Sequence, residues 1–159
     1  MTDKNKCCFF TGHRAVSKVH KERIVTNLPK IIKTLFNNGV TDFITGGALG
    51  FDTLAAQAVI RAKNEIPEIR LILALPCKDQ SNNWNKNQVL IYEEILEKAD
   101  EIIYVSEEYT PECMRKRNRF MVDSSSHCVF FMTSPRGGTA YTVKYALENN
   151  MNMINVMAE

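Results

Sequence analysis

Apolar positions along this chain follow two alternating rhythms. Compact runs occur at Cys7-Cys8-Phe9-Phe10, Asp42-Phe43-Ile44-Thr45, 69–75, 101–105, 127–132 and 153–157. Their length and density predict six short strands. Between them the apolar residues fall at helical intervals. Ile24/Val25, Leu28, Ile31/Ile32 and Leu35/Phe36 predict a helix over 24–36, with Asn37-Asn38-Gly39 as its stop. Pro29 inside that run is expected to kink or shorten it. Further helices are predicted over 53–63, from Val89 through Tyr92 and Ile95/Leu96 to Ala99, over 112–125, and from Thr139 through Val143 to Ala146/Leu147.

Strands that alternate with helices, several of them nearly all apolar, predict an α/β fold: a Rossmann-like, doubly wound, mostly parallel sheet with helices on both faces. Such sheets bind ligands beyond the carboxyl ends of their strands, near the point where strand order reverses. The loops expected there are Thr11-Gly12-His13-Arg14, the segment 45–52, the acidic segment 106–111, and Ser134-Pro135-Arg136-Gly137-Gly138-Thr139.

The stretch Asp42-Phe43-Ile44-Thr45-Gly46-Gly47-Ala48-Leu49-Gly50-Phe51-Asp52 reads as a strand, a tight glycine turn and a helix start. Glycines let the main chain adopt positive φ and let a ligand approach closely. The helix start offers unpaired N–H groups to a phosphate or carboxylate.

A chain of 159 residues suits one domain, expected to span 1–159. The formal charge of +2 argues against a general nucleic-acid coat, so nucleic-acid binding would need a local patch. No apolar run approaches the ~20 residues of a membrane span. Residues 1–6 carry no signal-peptide pattern, and five cysteines lack C-x-x-C spacing; a cytoplasmic protein with reduced thiols is expected. The three histidines show no metal-site spacing, and neither a metal nor another cofactor is expected.

The loops match neither G-x-G-x-x-G nor a Walker A motif, which disfavours a plain NAD dehydrogenase. A more specific pattern is Met114-Arg115-Lys116-Arg117-Asn118-Arg119-Phe120-Met121, followed one strand later by Arg136-Gly137-Gly138-Thr139. With the segment 45–52 and Thr11-Gly12-His13-Arg14, it resembles the SLOG superfamily. That superfamily joins DprA, the YpsA-like proteins and the Lonely-guy phosphoribohydrolases. The likeness is nearest to the YpsA-like branch and runs from Cys7 to Met157; Gln80 and Trp84 fit it too.

The resemblance implies a Rossmann-like domain binding a nucleotide or nucleotide-derived ligand, with a sensor role among its readings, and with phosphate near the glycine turns and an Arg. Lonely-guy enzymes cleave N-glycosidic bonds of nucleoside monophosphates, using an Arg of an R-K-x-x-x-M run and a Glu after their P-G-G-x-G-T turn. Arg117 and Met121 fall on the first motif, with Asn118 in place of Lys. The Glu position holds Thr142. DprA-type chains also carry R-N-R and a threonine there. The resemblance therefore points to binding first, to N-glycosidic or phosphoribosyl hydrolysis second, with Asp52 or Glu108 supplying the carboxylate, and to single-stranded DNA binding through the basic helix third. A homodimer is expected by resemblance alone.

The candidate ligand-binding residues are Thr11, Gly12, His13, Arg14, Gly46, Gly47, Gly50, Asp52, Trp84, Arg117, Asn118, Gly137, Gly138 and Thr139. Several have two readings. Gly46, Gly47 and Gly50 either admit a phosphate or permit a tight turn and close packing. His13 is a base, a phosphate donor or a backbone anchor. Asp52 accepts from a ribose hydroxyl or favours the helix dipole. Trp84 stacks on a base or anchors its loop. Arg115, Lys116 and Arg119 read as a solvated helix face.

Overall fold

The structure is a computed structural model that describes residues 3–158. Met1, Thr2 and Glu159 lie outside it, and with them the two ends of the expected 1–159 span. After a 3-10 turn at Lys4–Lys6 come β1 (Cys7–Gly12), α1 (Lys18–Asn37), β2 (Asp42–Thr45), α2 (Phe51–Glu65), β3 (Arg70–Leu75), α3 (Lys86–Lys98), β4 (Glu101–Tyr104), α4 (Cys113–Asp123), β5 (His127–Phe131), α5 (Gly138–Glu148) and β6 (Asn152–Asn155). The six strands form one sheet in the order β4-β3-β2-β1-β5-β6, and every pairing is parallel.

The alternation of side chains along β1 divides the core in two. Cys8 and Phe10 face one layer with residues of α1, α2 and α3; Cys7 and Phe9 face the other with Met121, Val122 and Ala146 of α4 and α5. The central strands are therefore apolar on both faces, as a helix-covered parallel sheet requires. Ser17 caps α1 by accepting from the His20 N–H at 3.2 Å. Its buried stripe is Ile24, Leu28, Ile32 and Leu35, spaced three or four residues apart.

Pro29 neither ends nor shortens α1, which runs through it to Asn37. The expected stop holds: the Asn38 N–H bonds to Thr34 and Leu35 carbonyls, and Gly39 takes φ +99°.

The order of strands reverses between β1 and β5. β1 leads outward through β2 to β4, and the chain then returns across the sheet to place β5 against the other side of β1. The crevice beyond the carboxyl ends of β1 and β5 is the topological switch point. β4 lies at the sheet edge, so the acidic segment 106–111 is carried away from that crevice.

Candidate functional site

Arg117 is the organising side chain of the site. It lies in the middle of α4, only 5% exposed, and its guanidinium crosses to the carboxyl ends of β2 and β3. Nη1 donates to the Gly46 carbonyl and, at 3.4 Å, to that of Ala74. Nε donates to Asn118 Oδ1 at 2.8 Å, and Nη2 meets Met114 Sδ at 3.7 Å. Nη2 is thus the group whose protons no oxygen has taken.

Gly46 explains how the guanidinium fits. A Cβ there would collide with the Arg117 Nη1 and Cζ atoms and stand 2.9 Å from Asp52 Oδ2. The other glycines of this turn are also used by the protein. A Cβ on Gly47 would strike Leu75, one on Gly50 the Arg14 backbone, and one on Gly12 the ring of Phe51. Gly47 and Gly50 have φ of +69° and +81°. Gly46 and Gly47 are not among the residues that line the cavity of about 370 Å³ around Arg117, and each has a packing role.

The start of α2 is correspondingly closed. Its first residue, Phe51, is fully buried and donates its N–H to the His13 carbonyl at 3.1 Å. The Asp52 carboxylate turns back to accept from the Ala48 N–H at 3.2 Å. One first-turn N–H of this helix thus goes to the end of β1, and the helix has no side-chain cap.

The open helix start belongs to α5. Its N-cap is Gly137, φ +96°, with no side-chain cap. A Cβ on Gly137 or Gly138 would meet nothing within 4 Å. For Gly138, neither crowding nor a positive φ demands glycine, and no side chain caps the first turn. Thr142, at the position where Lonely-guy chains carry Glu, is 1% exposed, and its hydroxyl donates to the Gly138 carbonyl at 2.9 Å. It braces this turn internally.

Thr11, Gly12, Arg14, Ala48, Asp52, Met114, Arg117, Asn118, Met121, Gly138 and Thr139 enclose one cavity of about 370 Å³. Of the predicted residues it gathers Thr11, Gly12, Arg14, Asp52, Arg117, Asn118, Gly138 and Thr139. Gly50 and Trp84 line a neighbouring cavity, which Arg14 also lines. His13 lines neither. Its Nε2 accepts from the Thr133 N–H at 2.8 Å, and its ring packs on Phe131, so it ties the ends of β1 and β5 together. Ala48, Met114 and Met121 lie in the motif runs of the sequence, Met121 on the R-K-x-x-x-M pattern, but are not among the candidate ligand-binding residues. Met114 and Met121 sit one helical turn to either side of Arg117, a spacing that could have marked them.

Burial dominates the electrostatics. It pushes the Asp52 carboxyl up to about 6, against the opposing pull of Arg117, the Ala48 N–H and Arg14. Burial likewise lowers Arg117 from its usual value, while Asp52 holds it up. The cavity thus holds a buried cation beside a carboxyl that changes charge in the mildly acidic range. Among the described residues no group of three His, Cys, Asp or Glu side chains gathers at metal-binding distance. No described helix is long and apolar enough to cross a membrane.

Elsewhere on α4, Arg115 and Arg119 stack on Tyr141, at 4.7 and 5.9 Å, and Arg119 also on Tyr145 at 4.6 Å. Arg115, Lys116 and Arg119 are exposed, as the solvated-face reading predicts, and the two arginines add an Arg–Tyr ladder between α4 and α5.

The chain is 38% identical over 116 residues to the SPbeta prophage-derived protein YoqJ of Bacillus subtilis (strain 168), covering 65% of this chain and 68% of that one. In fold it is similar to DprA from Helicobacter pylori, whose structure describes a single-stranded DNA binding mode. That match has TM-score 0.67 and 19% identity, over 95% of this chain and 65% of that one. DprA from Streptococcus pneumoniae matches with TM-score 0.65 and 16% identity over 96% of this chain, which spans half of the DprA chain. The profile of the YspA SLOG family matches residues 7–158, nearly the whole of the described chain, and the protein belongs to that family.

Proposed function

We propose that this protein binds a nucleotide or nucleotide-derived small molecule at the switch point of its sheet, with a phosphate on the Gly138–Thr139 turn. One observation carries the reading: the uncapped start of α5 opens into a cavity that also holds Arg117 and Arg14, with space at Gly138 that no protein atom claims. Backbone N–H groups and the helix dipole favour an anion there, and the two guanidinium groups supply countercharge. The test is a thermal-shift titration with nucleoside monophosphates, wild type against Gly138→Val and Thr139→Val. Arg117 is a poor probe, since its loss uncovers carbonyls inside the protein. A ligand at 100 times its Kd adds about 2.7 kcal/mol of stability. A rise in Tm that Gly138→Val removes, without change in the unliganded Tm, supports the cradle. Equal responses in wild type and Gly138→Val overturn it.

A second reading, hydrolysis of an N-glycosidic bond, is favoured by Asp52. The carboxyl lines the cavity and holds its proton up to about pH 6. In such a reaction the C1′–N bond breaks, a carboxylic acid can protonate the departing base, and the water that adds to C1′ as hydroxyl returns its other proton to the carboxylate. Glu108 lines no cavity described above. Asp52→Asn separates the two readings: cleavage of a bound monophosphate should vanish while binding persists. Persistence of cleavage in that variant removes this version of the enzyme. Single-stranded DNA binding has weaker support here, because Arg115 and Arg119 already stack on tyrosines.

A further inference from the structure

Beside the phosphate cavity lies a second one, of about 530 Å³, between the starts of α1 and α3 and the first turns of α2. Both cavities have sizes usual for small-ligand sites. Arg14 lines both. Gly50, which lines the second cavity, brings the turn before α2 against the Arg14 backbone, and Arg14 is the lining residue the two cavities share.

The second cavity differs in chemistry. Leu49, Leu54 and Ile91 give it apolar walls, and Trp84 with Tyr92 forms its aromatic side. The two rings meet edge to face, 5.0 Å between centroids at 71°. Gln80 bridges this wall to the glycine turn, with Nε2 3.3 Å from both the Tyr92 hydroxyl and the Gly47 carbonyl. Two amides also line the space. Gln57 hydrogen-bonds to no described residue. Gln88 uses its oxygen to accept from the Asn85 N–H at 3.0 Å, which leaves its Nε2 as a donor. Apolar walls, aromatic faces, the Gln57 amide and the Gln88 Nε2 donor suit a flat heterocycle that stacks and hydrogen-bonds at its edge. An aliphatic ligand would use the walls and waste the amides.

The geometry points to this cavity as the subsite for the purine or pyrimidine ring of a nucleotide whose phosphate lies on the Gly138–Thr139 turn, with Trp84 as the ring contact. The inference rests on the phosphate reading above and adds the class of ligand to it.

Trp84 is the only tryptophan of the chain, so its emission reports this cavity alone. The experiment titrates the full chain with the four common ribonucleoside 5′-monophosphates, with the matching nucleosides, and with ribose 5-phosphate. It follows tryptophan fluorescence and Tm together. At least one monophosphate is expected to quench the emission, while ribose 5-phosphate raises Tm without quenching. Calorimetry with Trp84→Ala is expected to show roughly tenfold weaker binding of that monophosphate and unchanged binding of ribose 5-phosphate. Trp84→Phe should recover most of the loss, and Gln57→Leu should alter the preference among bases without touching the indole.

If monophosphates and ribose 5-phosphate bind alike without quenching, the ring subsite is wrong and the phosphate cradle stands. If nucleosides quench while ribose 5-phosphate does nothing, the cradle falls and the ring subsite stands. Silence from every nucleotide and nucleoside overturns the subsite. A short single-stranded oligonucleotide that quenches when no mononucleotide does would assign the cavity to a strand and overturn the small-molecule assignment.

Discussion

Gly46 and Gly138 stand at equivalent strand-to-helix turns, and a methyl group on each has opposite consequences. Gly46→Ala drives a Cβ into the Arg117 guanidinium beside Asp52. It should cost about 3 kcal/mol, the scale of overpacking combined with a displaced buried charge. Gly138→Ala meets nothing and replaces glycine within a helix, so stability should stay within about 1 kcal/mol of wild type. Urea denaturation of the two variants checks both. Asp52 adds a pH signature. The folded carboxyl keeps its proton up to about 6, whereas its ordinary value is 3.8, so the folded state binds more protons in that window. Stability should therefore fall as pH rises from about 4 to 7, by on the order of 3 kcal/mol from this group. Asp52→Asn, which cannot ionise, should lack that component in denaturation curves at pH 4 and 7. The glycines were visible in the sequence as a cluster; which of them serve a ligand was not. Gly46 is explained by an arginine 71 residues further on, and that contact has no local signal.

At the scale of elements, periodicity located all five helices and six strands, and it erred where local chemistry had to be weighed against packing. Pro29 lies within α1, between the buried Leu28 and Ile32, and that packing keeps the helix whole. A proline there withholds one backbone N–H from the helix ladder. Pro29→Ala should restore the bond and stabilise the protein by about 1–3 kcal/mol, read as a rise in Tm; a lower Tm would show that the proline ring contributes more through packing. The two helix starts show the same conflict. In the sequence α2 and α5 both follow glycine turns and look alike as anion sites. Neither helix has a side-chain cap, but the first N–H of α2, that of Phe51, goes to the His13 carbonyl. That difference depends on how β1 ends, which the residues of α2 do not encode.

Across the whole molecule, β1 is central, pairing with β2 over Cys7–Phe9 and with β5 over Cys8–Gly12, and β4 and β6 form the two edges. Amides of Cys8 to Phe10 should then exchange with solvent only through global unfolding, and those of β4 and β6 through local opening as well. Hydrogen-exchange mass spectrometry on peptic fragments resolves the two classes. The parallel class and the layer of helices on each face were legible, because apolar runs alternate with helical spacing. The position of β5 against β1 was not, since strand order comes from crossovers rather than from composition. That pairing has a consequence for synthesis. Cys8 is aligned with His127, so the first strand made receives its second neighbour only after more than a hundred further residues have been translated. At ribosomal speed that is a delay on the order of ten seconds. Throughout it, the run Cys7-Cys8-Phe9-Phe10 has one unpaired edge and an uncovered apolar face. The strand that anchors the mature site is, in the nascent chain, the segment most in need of protection.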